Sequence, residues 1–501
     1  MAWGISPKVK VQVSLGDFAT NKYLAIVFQA LNNLGWKVSY ADDHGLIAYT
    51  PISWESYSEQ ITVVIKNGTA HIKSECVGYQ GFLFDYGKNE KNIELLITEI
   101  EYAGFHFKAD EAGNIEKFRS NFYQHPGINL EYTPLGAKDR LTNLLTIFVP
   151  KKNYQIVPWL IIINCFIFLI QRVLLAAFIV VYQKKYNGIQ SYSDYYVRFS
   201  NTLFGGIERN MVLNGDYWRL LAACFSHVSF SHLFFNMIFL AYIGSILEGR
   251  VGKWNFLGLY IMTGICASLA SIGYRYEGMG IGASGAIMGL FGVFLAYLST
   301  NFFDKKARAA FLISTIIISI ITLFPTENKT DHAAHFGGFI SGYIFGIFSY
   351  WAYTKPEKRK RLVIRSLSYV IIFAVAISSL LFIPRYDLPK YRQSLNKVYN
   401  NLNRISAYFY SPKYRYIPEE EKTLLLEREM LPIISENKRL LAELKTTPLP
   451  EEEYLVNANY MIFYEKKLQI YELLYKEYKT GDTKYRKEIE RLTAETNKLK
   501  N

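Results

Sequence analysis

Residues Ile281–Ser299 read IGASGAIMGLFGVFLAYLS, a run without a single charge that opens on Gly282-Ala283-Ser284-Gly285. A helix of that length rises about 28 Å, close to the hydrocarbon thickness of a bilayer. Serine is a nucleophile type, and lipid gives a polar side chain little solvation. A second apolar stretch opens on His335, a base type. Titratable groups inside spans are functional candidates by default. The pair points to chemistry within the membrane.

Working outward, seven apolar stretches have membrane-crossing length: Ile156–Tyr182, Phe230–Leu247, Phe256–Tyr274, Ile281–Ser299, Ala309–Phe324, His335–Tyr353 and Leu362–Ile383. The first is oversized and carries Arg172, so it either tilts or reaches the outer interface at that residue. Cations collect after the second span (Arg250, Lys253), the fourth (Lys305, Lys306, Arg308) and the sixth (Lys355 to Arg365). The opposite short loops hold only Arg275 and Lys329, although Lys184, Lys185, Arg198 and Arg209 in the long first loop dilute the bias. Positive-inside reasoning places the N-terminus in the cytoplasm and, after seven spans, the C-terminus outside.

The whole chain is consistent with this contrast. It has 501 residues, 50% hydrophobic, with a net charge of +13, and its mean hydropathy of +0.05 averages an apolar centre with two polar flanks. Length and contrast suggest three parts: 1–150, 156–384 and 385–501. The basic residues are interleaved with Asp and Glu, and the one dense run, Lys355 to Arg365, lies between two apolar stretches, so no nucleic-acid partner is expected. Cys76, Cys165, Cys224 and Cys266 have no paired spacing, which indicates neither a disulfide framework nor a zinc site. No basic segment followed by an apolar core opens the chain, so no signal peptide is expected.

Spans two, four and six run in one direction, so His232, Asn236, Ser284 and His335 should lie at one shallow depth. Serine needs an adjacent base to attack a carbonyl, and His335 titrates in the range that suits one. Asp331 precedes that stretch by one turn and reads as loop; the expected unit is therefore a Ser–His dyad. His232 and Asn236, spaced i, i+4, share a helical face. With the backbone N–H of Ser284 they would line an oxyanion site, where one donor is worth about 3–4 kcal/mol. Each residue also has a plainer reading. A lone G-x-S-G more often serves close helix packing, as Gly285, Gly289, Gly338, Gly342 and Gly346 do at four-residue intervals. His332 and His335 with His227 and His232 suggest half of a metal site each, yet no Asp, Glu or Cys joins them within the spans, so no metal is expected. Packing alone does not call for Ser, two His and Asn at one level.

These residues together resemble the rhomboid intramembrane serine proteases over about 156–384. Gly282-Ala283-Ser284-Gly285 is similar to the family's G-x-S-G nucleophile motif. Ala334-His335-Phe336-Gly337-Gly338 with Gly342 matches its A-H-x-x-G-x-x-x-G helix, and His232 with Asn236 matches its H-x-x-x-N element. Trp218-Arg219 matches the W-R pair of the embedded first loop, and His227 a recurrent histidine. The resemblance implies a polytopic α-helical membrane protein with a six-helix core, here extended by one C-terminal helix. It implies Ser284 as nucleophile, His335 as general base, and His232 and Asn236 in oxyanion stabilisation. It implies neither metal nor cofactor, and as partners the lipid bilayer and transmembrane-protein substrates cleaved in or beside a span; it says nothing of oligomeric state. Pro325–Ala334 and the fifth span are the candidates for a cap and gate, and Trp218-Arg219 for a headgroup-level anchor. The expected location is a bacterial inner or plasma membrane. The rival reading is a non-proteolytic rhomboid-like protein that binds transmembrane helices; a transporter would need paired intramembrane charges or an internal repeat.

Of the flanks, 1–150 reads as an α+β domain. A helix is expected over Asn21–Trp36, strands over Lys37–Ala41, Leu46–Tyr49, Gln60–Ile65 and Ala70–Cys76, and a helix over Ile93–Tyr102, with Asn67-Gly68 as a hairpin turn. Residues 385–501 read as a helical bundle with segments at Lys390–Tyr410, Glu419–Leu444, Glu451–Lys479 and Lys484–Lys500. Neither flank shows a catalytic set.

Overall fold

The computed structural model describes residues 7–52, 58–78, 85–107, 111–120, 144–183, 199–300, 302, 305–323, 330–414 and 416–499. The chain divides into two compact units, Met1–Phe382 and Ile383–Asn501.

The first unit begins with an antiparallel sheet of β1 (Lys8–Ser14), β2 (Lys37–Asp42), β3 (Gly45–Tyr49), β4 (Glu59–Lys66) and β5 (Thr69–Cys76), in the order β1-β5-β4-β3-β2. Asn67 and Gly68, at φ 50° and 72°, close the β4–β5 hairpin as expected of that dipeptide. Strand β1 was not expected, although its KVKVQVS alternates with period two. One face of the sheet packs Leu46, Ala48, Ile61 and Val63 against helices α1 (Thr20–Asn33) and α2 (Lys88–His106). Because strand side chains alternate, Tyr40, Ile47 and Tyr49 face the other way. They are buried in one cluster with Tyr154, Val157, Leu247 and Val251 of the membrane region. A third helix, α3 (Glu111–Ser120), follows α2.

The apolar region forms α4 (Ile156–Gln183), α5 (Phe230–Val251), α6 (Lys253–Tyr274), α7 (Ser284–Leu298), α8 (Lys305–Leu323), α9 (His332–Tyr353) and α10 (Lys358–Ser378). All seven expected stretches fall on helices. Among the described residues, four segments are long and apolar enough to cross a membrane: Ile156–Val180, Phe230–Val251, Lys253–Tyr274 and Lys358–Leu381. Ser284–Leu298 and Phe311–Ile320 are shorter apolar helices. The correction at α7 has a local cause. Its first residue is Ser284 and not Ile281, because Gly282 holds φ +129° and Gly280 pairs with Ile207 in an isolated antiparallel bridge. At 15 residues it rises only about 22 Å. Half of the expected cap Pro325–Ala334, residues 325–329, and part of the first loop, 184–198, lie outside the described residues.

A carboxylate missed by the sequence reading anchors α4. Glu248, buried in the last turns of α5 one residue past the expected end of that span, accepts the backbone N–H groups of Gln155 and Ile156 through Oε1 (2.6 and 3.0 Å) and of Val157 through Oε2 (3.1 Å). These belong to or border the first turn of α4, whose N–H groups have no helical partner and whose dipole favours an anion. α4 then runs for 28 residues. At Arg172 its guanidinium Nη2 donates to the carbonyl of His227 at 3.3 Å and lies over the Phe168 ring.

The second unit is helical: α11 (Leu388–Tyr410), α12 (Glu419–Leu425), α13 (Leu431–Thr446), α14 (Glu451–Thr480) and α15 (Arg486–Lys498). A π-helical stretch at Leu426–Met430 joins α12 to α13. Pro432 carries no N–H to give the carbonyl of Arg428, which accounts for the widened turn. Val398, Ile405, Leu426, Met430 and Leu468 form its core.

Candidate active site

Three helix N-termini converge on one point. Ser284 is the first residue of α7, His335 lies one turn into α9, and His232 and Asn236 lie in the first two turns of α5. Each start has a local reason. Ser229 caps α5 by accepting the N–H of His232 at 3.2 Å. Asp331 caps α9 by accepting the N–H of Ala334 through Oδ1 at 3.0 Å. α7 begins where the segment Gly280–Gly282 ends. That segment exchanges two hydrogen bonds with Ile207 (2.9 and 2.8 Å), and the Gly282 N–H donates to the Ala223 carbonyl at 2.9 Å.

Ser284 Oγ and His335 Nε2 are 2.8 Å apart. Glycines set that distance. A methyl on Gly338 would run into the carbonyl oxygen of Gly285, and one on Gly342 into that of Gly289. The backbones of α7 and α9 therefore touch from one residue beyond Ser284 onward, the close approach that small residues permit in membranes.

Asp331, expected in a loop, is instead the helix cap. Its Oδ2 accepts from Ser271 Oγ (2.5 Å) and Arg275 Nη1 (3.1 Å), and its Oδ1 is taken by the cap. Its oxygens are thus committed to holding the start of α9 against the end of α6.

His232 and Asn236 flank the residue two before the serine. A Cβ on Gly282 would lie 2.7 Å from His232 Cε1, 2.9 Å from its Nε2 and 3.8 Å from Asn236 Nδ2. Among the described residues, Asn236 Nδ2 is a buried donor with no hydrogen-bond partner. Backbone N–H groups at the start of α7 also lack helical acceptors. The arrangement gathers His232 and Asn236 around Gly282, two residues before Ser284.

His227 sits beneath this group. It is fully buried, its Nε2 accepts from the Ala283 N–H at 3.5 Å, and its ring meets that of His232 edge-on with centroids 5.1 Å apart. Its backbone N–H donates to Gln171 Oε1 at 3.4 Å, a contact with α4 that the sequence reading missed.

Arg219 does not reach outward as the expected anchor would. Arg219 is buried; its Nη1 donates to the carbonyls of Thr202 (2.6 Å) and Gly206 (3.2 Å) and its Nε to Asp216 Oδ2 (2.9 Å), while the guanidinium stacks 4.6 Å from the Trp218 ring centre. A guanidinium spent on carbonyls inside the loop does not reach lipid phosphate; it ties residues 202–219 into one piece. Trp218 itself is exposed.

No group of three or more His, Cys, Asp or Glu able to hold a metal occurs among the described residues, and all four cysteines are free.

Apolar helices of crossing length and a site built at the convergence of their ends define a polytopic helical membrane protein. The family described as Rhomboid domain matches residues 214–352. RHOMBOID-like protein 5 of Arabidopsis thaliana is 37% identical over 145 residues, covering 28% of this chain and 47% of that protein. Rhomboid protease GluP of Bacillus subtilis is 33% identical over 184 residues, covering 36% of this chain and 34% of the other. Rhomboid-like protease 1 of Toxoplasma gondii is 28% identical over 191 residues, covering 37% and 62%. Residues 214–352 are thus similar to the rhomboid domain. The chain spans less than half the length of these plant and Bacillus relatives.

Proposed function

We propose that the chain is a serine endopeptidase that hydrolyses peptide bonds in or next to transmembrane segments of other membrane proteins. The observation that carries this reading is the 2.8 Å contact between Ser284 Oγ and His335 Nε2. In this scheme Ser284 Oγ attacks the scissile carbonyl carbon while its proton passes to His335 Nε2. The resulting oxyanion takes hydrogen bonds from the Ser284 N–H, from His232 and from Asn236 Nδ2. Collapse of the intermediate breaks the C–N bond, and His335 returns the proton to the leaving amine. Water, activated by the same imidazole, then hydrolyses the acyl-serine. Substrate helices must unwind to present a carbonyl, which favours small or helix-breaking residues near the cut.

The same reading places the site toward the outer face, with the N-terminal region cytoplasmic and the C-terminal region external, from the cation bias of the loops. The membrane domain spans about 156–384, between N-terminal and C-terminal soluble regions. A fluorophosphonate tests the nucleophile directly. Labelling of the full chain at Ser284, abolished in His335→Ala, supports the reading; a chain that resists labelling in every detergent and lipid tried overturns it.

A further inference from the structure

We propose that the membrane edge opposite Ser284 is a binding surface for anionic phospholipid headgroups. His335 and Lys355 are separated by the length of α9, about 30 Å, so the basic run lies one hydrocarbon thickness from the site. Over residues 355–365 six cations face one carboxylate, Glu357. Glu357 pairs with Lys360 at 2.6 Å. Among the described residues no carboxylate forms an ion pair with Lys355, Lys358, Arg359, Arg361 or Arg365, and the Nε of Arg365 is buried without a hydrogen-bond partner.

These cations are arranged on a framework. Asn255 Nδ2 donates to Ser349 Oγ at 2.9 Å, and Tyr369 Oη donates to Asn255 Oδ1 at 2.7 Å, which ties the start of α6 to the last turns of α9 and the middle of α10. Arg361 Nε donates to the Lys355 carbonyl at 2.5 Å, folding the connection back on α10. At the start of α6 and the end of α9 stand exposed aromatics: Trp254, Trp351 and Tyr353. Lys253 lies 5.5 Å from the Trp254 ring, Lys355 5.3 Å from Trp351 and Arg361 5.9 Å from Tyr353. Aromatic rings of this kind settle at the headgroup level, and each here has a cation beside it. The positive end of the α10 dipole points the same way. Setting the topology needs only charge in the loop; it does not need cations stacked on exposed rings.

The test uses the full chain in vesicles of equal phosphatidylcholine and phosphatidylglycerol, with the lipids retained after solubilisation quantified by mass spectrometry. Wild type should retain phosphatidylglycerol preferentially, and less so at high salt. Lys355→Gln with Arg361→Gln and Arg365→Gln should lose the preference by roughly five-fold per cation removed. The charge-conserving set Lys355→Arg, Arg361→Lys and Arg365→Lys should keep it. An unchanged lipid ratio in the Gln set, or its loss in the charge-conserving set, overturns the proposal. Displacement of the lipid by inorganic phosphate beyond that by chloride of equal ionic strength marks a free-phosphate site instead, and equally overturns it.

Discussion

Ser271 Oγ donates to Asp331 Oδ2 at 2.5 Å, and through this one hydrogen bond the end of α6 holds the turn from which His335 projects. Asp331 also receives Arg275 and caps α9. Asp331→Ala should therefore cost about 1 kcal/mol for the cap and about 1–3 kcal/mol more for the donors left without a partner. Asp331→Asn keeps an acceptor for the Ala334 N–H and should cost less. Thermal unfolding in detergent ranks the three proteins; an Asp331→Ala protein that melts with wild type contradicts the clamp.

The α7–α9 contact predicts opposite outcomes for two glycines. Gly338→Ala forces a methyl into the Gly285 carbonyl, whereas Gly273, in α6, has nothing within 4 Å of its would-be Cβ. Overpacking typically costs about 1–3 kcal/mol, and separating the backbones also separates Ser284 from His335. Gly338→Ala should lose both stability and fluorophosphonate labelling. Gly273→Ala should be neutral or stabilising by about 0.5–1 kcal/mol.

Arg219 gives a third. Its three hydrogen bonds lie within residues 202–219, and a lysine cannot reproduce the fork that reaches two carbonyls and a carboxylate. Both Arg219→Ala and Arg219→Lys should lower the melting temperature while leaving membrane insertion intact. Wild-type stability in the lysine variant, measured by the same unfolding assay, would restore the headgroup-anchor reading.

A fourth concerns Glu248, which is 1% exposed and holds three N–H groups at the start of α4. Glu248→Gln loses the charge and one acceptor oxygen, and should cost about 1–3 kcal/mol. Glu248→Ala should cost more. Hydrogen exchange should rise first at Gln155, Ile156 and Val157; unchanged protection there would show that the carboxylate does not support the helix start.

The distribution of what the sequence revealed follows from distance along the chain. Ser284, His335, His232 and Asn236 were legible because each lies in a short motif at fixed helical spacing, and spans are strongly periodic. The helices of the second unit were legible for the same reason, to within two residues at most ends. Asp331 and Arg219 were visible as residues but misread, because their partners, Ser271 and the carbonyls of Thr202 and Gly206, are up to 60 positions away. Glu248 was passed over because it lies just past an apolar run, where a carboxylate ordinarily faces water. The start of α7 at Ser284 depends on the φ of Gly282, which no local pattern announces. β1 is a different case: its alternation was readable, and it was overlooked.

The central claim is tested most directly by cleavage of a single-span membrane substrate by the purified full chain in detergent, with Ser284→Ala and His335→Ala run beside it. The account predicts a product from wild type and none from either variant. Product from all three would contradict it.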